Sequence, residues 1–223
     1  MNGLNFFLTA EILIYFIFLI LDMNRIQSGM SECLKYSGIL LCFFYAVILA
    51  EKKEYRNVRN VNLRKTVALL FTLSADYFLL IRNEHYEIGV FFFCLVQSCY
   101  LTCTSKAWGR HLVVRIVFTA AVALCWYFGN ILVVLLLFYG ISSIGNLVLL
   151  FYRKTDFWLL SGLTLLFFCD LCVGVVNAGN YINLSISKIF FQIAAFLMWA
   201  FYLPSQVLIV ISIKKSLENN GRI

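Results

Sequence analysis

The chain is built from uninterrupted apolar runs of about twenty residues, the length an α-helix needs to cross the hydrocarbon core of a bilayer. Eight such runs can be traced, roughly over 4–21, 34–50, 66–81, 88–103, 112–127, 131–151, 157–178 and 186–213. Between them lie only short polar segments. Hydrophobic residues make up 62% of the chain and charged residues 13%, about half the charged share of a soluble domain. A soluble core of this size could not hide so much apolar surface. A porin-like barrel would alternate polar and apolar residues in ten-residue segments, which these continuous runs do not. The expectation is an all-α fold: a polytopic transmembrane bundle of eight helices in one domain, multi-pass and integral to the membrane.

Net charge is +7, but the basic residues sit in loops between apolar runs, as the positive-inside rule requires, and do not form a nucleic-acid surface. With both termini cytoplasmic, fourteen Lys and Arg fall on the cytoplasmic side and four (Arg25, Lys35, Arg82 and Lys188) on the other. Arg115 counts among the fourteen. The longest hydrophilic stretch, 51–65, reads as a basic cytoplasmic loop, and 214–223 reads as a frayed polar tail. The first run has no basic start and carries Glu11, so it is expected to be a spanning helix and not a cleaved signal. All cysteines but Cys33 lie in or beside apolar runs, where they act as small hydrophobes.

Two carboxylates lie deep within these runs. Asp76 stands in the segment Leu73-Ser74-Ala75-Asp76-Tyr77, and Asp170 in Phe168-Cys169-Asp170-Leu171. A charge at that depth costs a few kcal/mol or more, so such residues usually serve a site facing the bundle interior. The helical rise puts them roughly 15 and 20 Å from the cytoplasmic ends of their helices. Each is followed just over twenty residues later by a glutamine, Gln97 and Gln192. A duplicated four-helix unit and chance likeness of apolar segments explain this equally well. Helical spacing sets Thr72, Asp76 and Asn83 on one side of helix 3, and Asp170, Gly174 and Asn177 on one side of helix 7. Gln97 pairs with Tyr100 on helix 4, and Tyr202 with Gln206 on helix 8. Lys35 opens helix 2 near the level of the carboxylates. Together these residues would line one polar pocket suited to a lipid. Lys35 has a plainer reading as a residue snorkelling to the interface. Gln97, Asn177 and Gln206, taken singly, are more often interhelical hydrogen-bond glue, and Asn146 reads as glue too.

Other chemistries lack their residues. Zinc hydrolysis needs about three ligands, usually with His, and the chain holds only His85 and His111. No nucleophile elbow or glycine-rich phosphate loop is present. The remaining candidate is a carboxylate pair, able to divide acid and base roles.

The ordered set from Lys35 to Ile209 resembles the lysoplasmalogenase (YhhN-like) family of eight-helix membrane proteins. It comprises Lys35; Asp76 with its apolar sequel; Gly89, Phe93, Gln97 and Tyr100; Gly162, Phe167, Asp170 and Leu171; and Tyr202, Gln206, Leu208 and Ile209. The chain departs from the family at Tyr36, which replaces a proline, and at Ala75, which replaces a glycine. Gln97 stands where the family usually has His, Cys169 replaces Ser, and Pro204-Ser205 precede Gln206. The resemblance implies hydrolysis of the vinyl ether bond of lysoplasmalogens to a fatty aldehyde and a glycerophospho head group. It implies Asp76 and Asp170 as catalytic residues, with Lys35, Gln97, Tyr100, Tyr202 and Gln206 around a lysophospholipid substrate; Asn177 joins that set through its place on the Asp170 side of helix 7. No metal or organic cofactor is required, and the partners are membrane lipids. A small transporter or lipid-binding protein using the aspartates as proton or cation sites is the alternative. So is a family member that has lost activity through Gln97.

Overall fold

Inside hydrocarbon every backbone N–H and C=O must find a partner within the chain, which leaves apolar segments of this length little choice but helix. The computed structural model describes residues 3–24, 29–51, 56–82, 84–125, 130–154, 156–181 and 188–220. These described residues form eight α-helices: α1 (Gly3–Met23), α2 (Gly29–Ala50), α3 (Arg56–Asp76), α4 (Tyr86–Thr104), α5 (Trp108–Cys125), α6 (Ile131–Arg153), α7 (Phe157–Tyr181) and α8 (Lys188–Asn220). Seven of them are long and apolar enough to cross a membrane. The eighth, α3, has a basic first half. Its apolar half continues into a π-helical segment, Tyr77–Arg82, and packs among α2, α4 and α8.

The bundle has an apolar core, around Ile39, Leu69, Tyr100, Leu163 and Ile209, but unlike a soluble protein it is apolar outside as well. Large apolar side chains face outward, as with Phe6, Leu13, Phe16 and Ile20 on α1 and Val113, Val114, Val117 and Phe118 on α5. Glu11, Lys35, Asn62, Lys65, Asp76, Gln97, Arg115, Asn146 and Gln206 are buried. An exposed apolar surface of that extent marks contact with a nonaqueous neighbour, and the fold is an all-α polytopic bundle. Helix α8 lies at the centre, touching α1, α2, α3 and α7, whereas α5 stands outside, against α4 and α6.

Three expectations are corrected. The stretch expected as a loop over 51–65 is helical from Arg56 on, where α3 starts, and residues 52–55 lie outside the described residues. Asn62 and Lys65 turn inward, and Lys65 bonds Asp156 at 2.6 Å and Ser212 at 3.0 Å. Polar partners thus replace the apolar stripe that sequence periodicity seeks. The tail at 214–220 is helical rather than frayed, since Ser216 bonds Asn62 on α3 and Lys214 and Lys215 pair with Glu218. Arg115, placed among the loop cations, is buried in α5. Basic residues also close the end of α4, whose last carbonyls have no intrahelical partner. Arg64 donates to the Thr102 carbonyl at 2.8 Å and Arg153 to the Thr104 carbonyl at 2.7 Å.

Pro204 sits inside α8 without ending it. A proline in a helix strands the carbonyl four residues earlier, which is that of Ala200. The Tyr15 hydroxyl, from α1, donates to the Ala200 carbonyl at 3.1 Å. Tyr15→Phe is expected to lower stability by about 1 kcal/mol, measured as the midpoint of thermal unfolding in detergent.

Helices α7 and α8 make the most extensive interface, and Gly162 permits their approach. A Cβ there would lie 3.0 Å from the Ser205 carbonyl oxygen and from Ile209. Backbone cannot yield as a side chain can, so Gly162→Ala should cost about 1–3 kcal/mol. Gly174 on the same helix meets nothing within 4 Å. There the change to Ala should be neutral or stabilising, by up to about 1 kcal/mol. Equal unfolding midpoints for the two variants would count against this packing.

Candidate functional site: two phenol-capped carboxyls

Asp76 closes α3 where the helix widens into the π segment. Such widening is common at functional sites. It also breaks the spacing that would align Asn83 with Asp76, and Asn83 lies outside the described residues. Asp76 is buried, and its partner comes from α8. The Tyr202 hydroxyl reaches both carboxyl oxygens, at 2.8 and 2.7 Å.

Asp170, on α7, has a matching arrangement. The Tyr139 hydroxyl, from α6, donates to its Oδ2 at 2.7 Å. Tyr139 also shares a side-chain hydrogen bond with Gln97. Asn146 Nδ2 donates to both the backbone and the side-chain oxygen of Gln97, at 2.9 Å each. A hydrogen-bonded line therefore runs Asn146–Gln97–Tyr139–Asp170 through α6, α4 and α7.

The two halves meet at Cys169. Its side chain lies within electrostatic reach of Asp76 and Asp170, and Tyr202 within reach of Tyr139. Tyr36 adds a third phenol within reach of Asp76. Among the described residues no Lys, Arg or His is ion-paired with either carboxyl. Charge in such a place is stabilised only by hydrogen bonds, and by whatever ligand enters. Among these residues no cluster of three His, Cys, Asp or Glu is set to hold a metal ion.

Asp76, Asp170, Gln97 and Tyr202 thus belong to one connected cluster. Lys35 does not pair with Asp76; it pairs with Asp22 at 2.8 Å and lies 4.4 Å from the centre of the Trp199 ring. Its path to the cluster passes through Trp199, which meets Tyr202 edge-on at 5.5 Å. Asn177 is exposed and bonds the Val173 carbonyl of its own helix at 3.0 Å. Gly174 is exposed too, so above Asp170 that face of α7 leaves the bundle. Thr72 spends its hydroxyl on the Ala68 carbonyl. Tyr100 and Gln206 are fully buried, but the Tyr100 hydroxyl and the Gln206 Oε1 have no partner among the described residues. Tyr100 lies within reach of Cys42 on α2, not of the aspartates. Glu11 faces the interior and accepts from the Cys42 thiol at 3.3 Å. Gln192 is exposed where Gln97 is buried, so the proposed halves do not use their glutamines alike.

Sequence reasoning missed Tyr139, Asp22 and Trp199. The one available signal for Tyr139 was its spacing from Asn146, two helical turns along the same face of α6.

No protein-family model, curated protein or solved structure matches this chain.

Proposed function

We propose that this protein is a membrane-embedded hydrolase of the lysoplasmalogenase type, cleaving the vinyl ether bond of a lysoplasmalogen-like lipid with Asp76 and Asp170. The observation that carries the reading is the pair of carboxyls, Asp76 buried and Asp170 half-buried, each capped by a phenol and both within electrostatic reach of Cys169, with no cation paired to either among the described residues. A vinyl ether breaks once the alkene carbon not bonded to the ether oxygen accepts a proton, which leaves an oxocarbenium ion. Water adds to that ion and gives up a proton. The resulting hemiacetal then collapses to an aldehyde and an alcohol, so one water is consumed and no net proton. Glycosidases meet the same demand with two carboxyls, one donating and one receiving.

In this scheme one aspartic acid supplies the proton. The other, as carboxylate, steadies the cation and takes the proton from water. Tyr139 and Tyr202 hold the carboxyls in place and supply a hydrogen bond that charge can draw on. Gln97 keeps Tyr139 oriented; it cannot titrate as a histidine would, so it acts by positioning. Lys35, occupied by Asp22 and Trp199, is removed from the direct set of substrate contacts.

The test is aldehyde release from a vinyl-ether lysolipid by the purified protein and by Asp76→Asn and Asp170→Asn. Full activity in either variant excludes the two-carboxyl mechanism. The line Asn146–Gln97–Tyr139–Asp170 would also suit proton movement. Proton-coupled uptake into proteoliposomes with no aldehyde formed would favour a transporter.

A further inference from the structure

Arg115 is a buried cation with no counter-ion among the described residues. It lies roughly 10 Å along α5 from Trp108 at the helical rise, and is only 7% exposed. Helix α5 buries just two described residues, Arg115 and Thr119, and both are polar. The guanidinium rests on the α6 backbone, because a Cβ at Gly145 would sit 2.7 Å from Nη2. Nη1 is buried and has no hydrogen-bond partner among the described residues. Ser142 lies one turn from Gly145 on the same face of α6; it is 1% exposed and its hydroxyl is also without a partner.

The acids nearby are accounted for. Helices α4, α5 and α6 contain one between them, Glu87, in the first turn of α4. It stands at the end of α4 far from Arg115. Asp156, beyond α6, is taken by Lys65. A guanidinium cannot shed its charge as an amine can, and a buried charge without a partner is strongly unfavourable. Its planar donors match a phosphate-type oxyanion.

We propose that the α5–α6 seam binds a phosphate-type anion through Arg115, with the Ser142 hydroxyl as a second donor. The site lies in the half of the bundle where α5 begins and α6 ends. It stands whether or not the aspartates hydrolyse a lipid. The anion is either a phospholipid head group or free phosphate.

Full-length protein in an uncharged detergent is titrated with inorganic phosphate, with short-chain phosphatidylglycerol and with the matching diacylglycerol, and followed by thermal unfolding. Phosphatidylglycerol is expected to raise the midpoint and diacylglycerol to leave it unchanged. A rise with the lipid alone assigns the site to lipid head groups; an equal rise with inorganic phosphate assigns it to a soluble anion. Arg115→Gln should weaken apparent binding by about tenfold or more. Gly145→Ala should also weaken it, by pushing the guanidinium off α6 with the charge retained. No shift with either phosphate compound overturns the proposal. So does undiminished binding in Arg115→Gln, or in Gly145→Ala should the first variant fail to fold.

Discussion

Asp156→Ala should be the most destabilising single substitution outside the apolar core, costing about 4 kcal/mol. Two losses combine. The Asp156 carboxylate is the ion-pair partner of Lys65, which is only 2% exposed along its side chain. Removing one member of a buried pair costs about 3–5 kcal/mol, because the other charge stays behind without compensation. Asp156 also caps α7, accepting from the Leu159 backbone N–H at 2.9 Å, and losing such a cap costs about 1 kcal/mol. The side chain of Asp156 is 22% exposed, which holds the first term toward the low end. The same asymmetry predicts a milder Lys65→Met variant, since the carboxylate left behind can reach water and still cap α7. Thermal unfolding of both variants checks this. If Lys65→Met falls as far as Asp156→Ala, the cation rather than the partner left behind governs the cost.

That ion pair also shows which parts of the fold could be read from sequence. The seven long apolar helices and the two deep carboxylates were legible, because each conflicts with water or with hydrocarbon whatever surrounds it. The first half of α3 was not. Its inward residues, Asn62 and Lys65, are polar, and only Ser216, Ser212 and Asp156 explain their burial. Those partners come from more than ninety residues away in every case. What lets Pro204 stay inside α8, the Tyr15 hydroxyl placed against the Ala200 carbonyl, is again a contact invisible to local pattern. Tyr139 was hidden differently. The chain has 12 Tyr and 22 Phe, so no single aromatic residue stands out as functional. Its role as the Asp170 partner depends on how α6 is rotated, and helical periodicity cannot set that rotation when nearly every face is apolar. Lys35 shows the opposite error. A basic residue at the right depth was assigned to the lipid, and the acid at the end of α1, Asp22, was overlooked as its partner.

If the carboxyl pair performs vinyl ether hydrolysis, Asp76→Asn and Asp170→Asn should each lower turnover by about 10²–10⁴-fold, the usual worth of a positioned acid or base. Both should remain folded, since neither carboxyl is ion-paired among the described residues and an amide can still accept from Tyr202 or Tyr139. The phenols should matter less. Tyr139→Phe and Tyr202→Phe each remove one hydrogen bond to a group that carries charge during turnover, worth about 1.5–3 kcal/mol and so about 10–100-fold. Lys35→Met provides the contrast. Lys35 is held by Asp22 and by the Trp199 ring, so its loss should reduce stability before it reduces turnover. The order of effects tests more than the presence of activity. A substrate-binding role for Lys35 would raise KM in a folded variant. A purely structural role for the aspartates would lower unfolding midpoints in step with activity. Two acids acting as a unit would leave the double Asn variant scarcely slower than either single one, because removing one partner already disables the other.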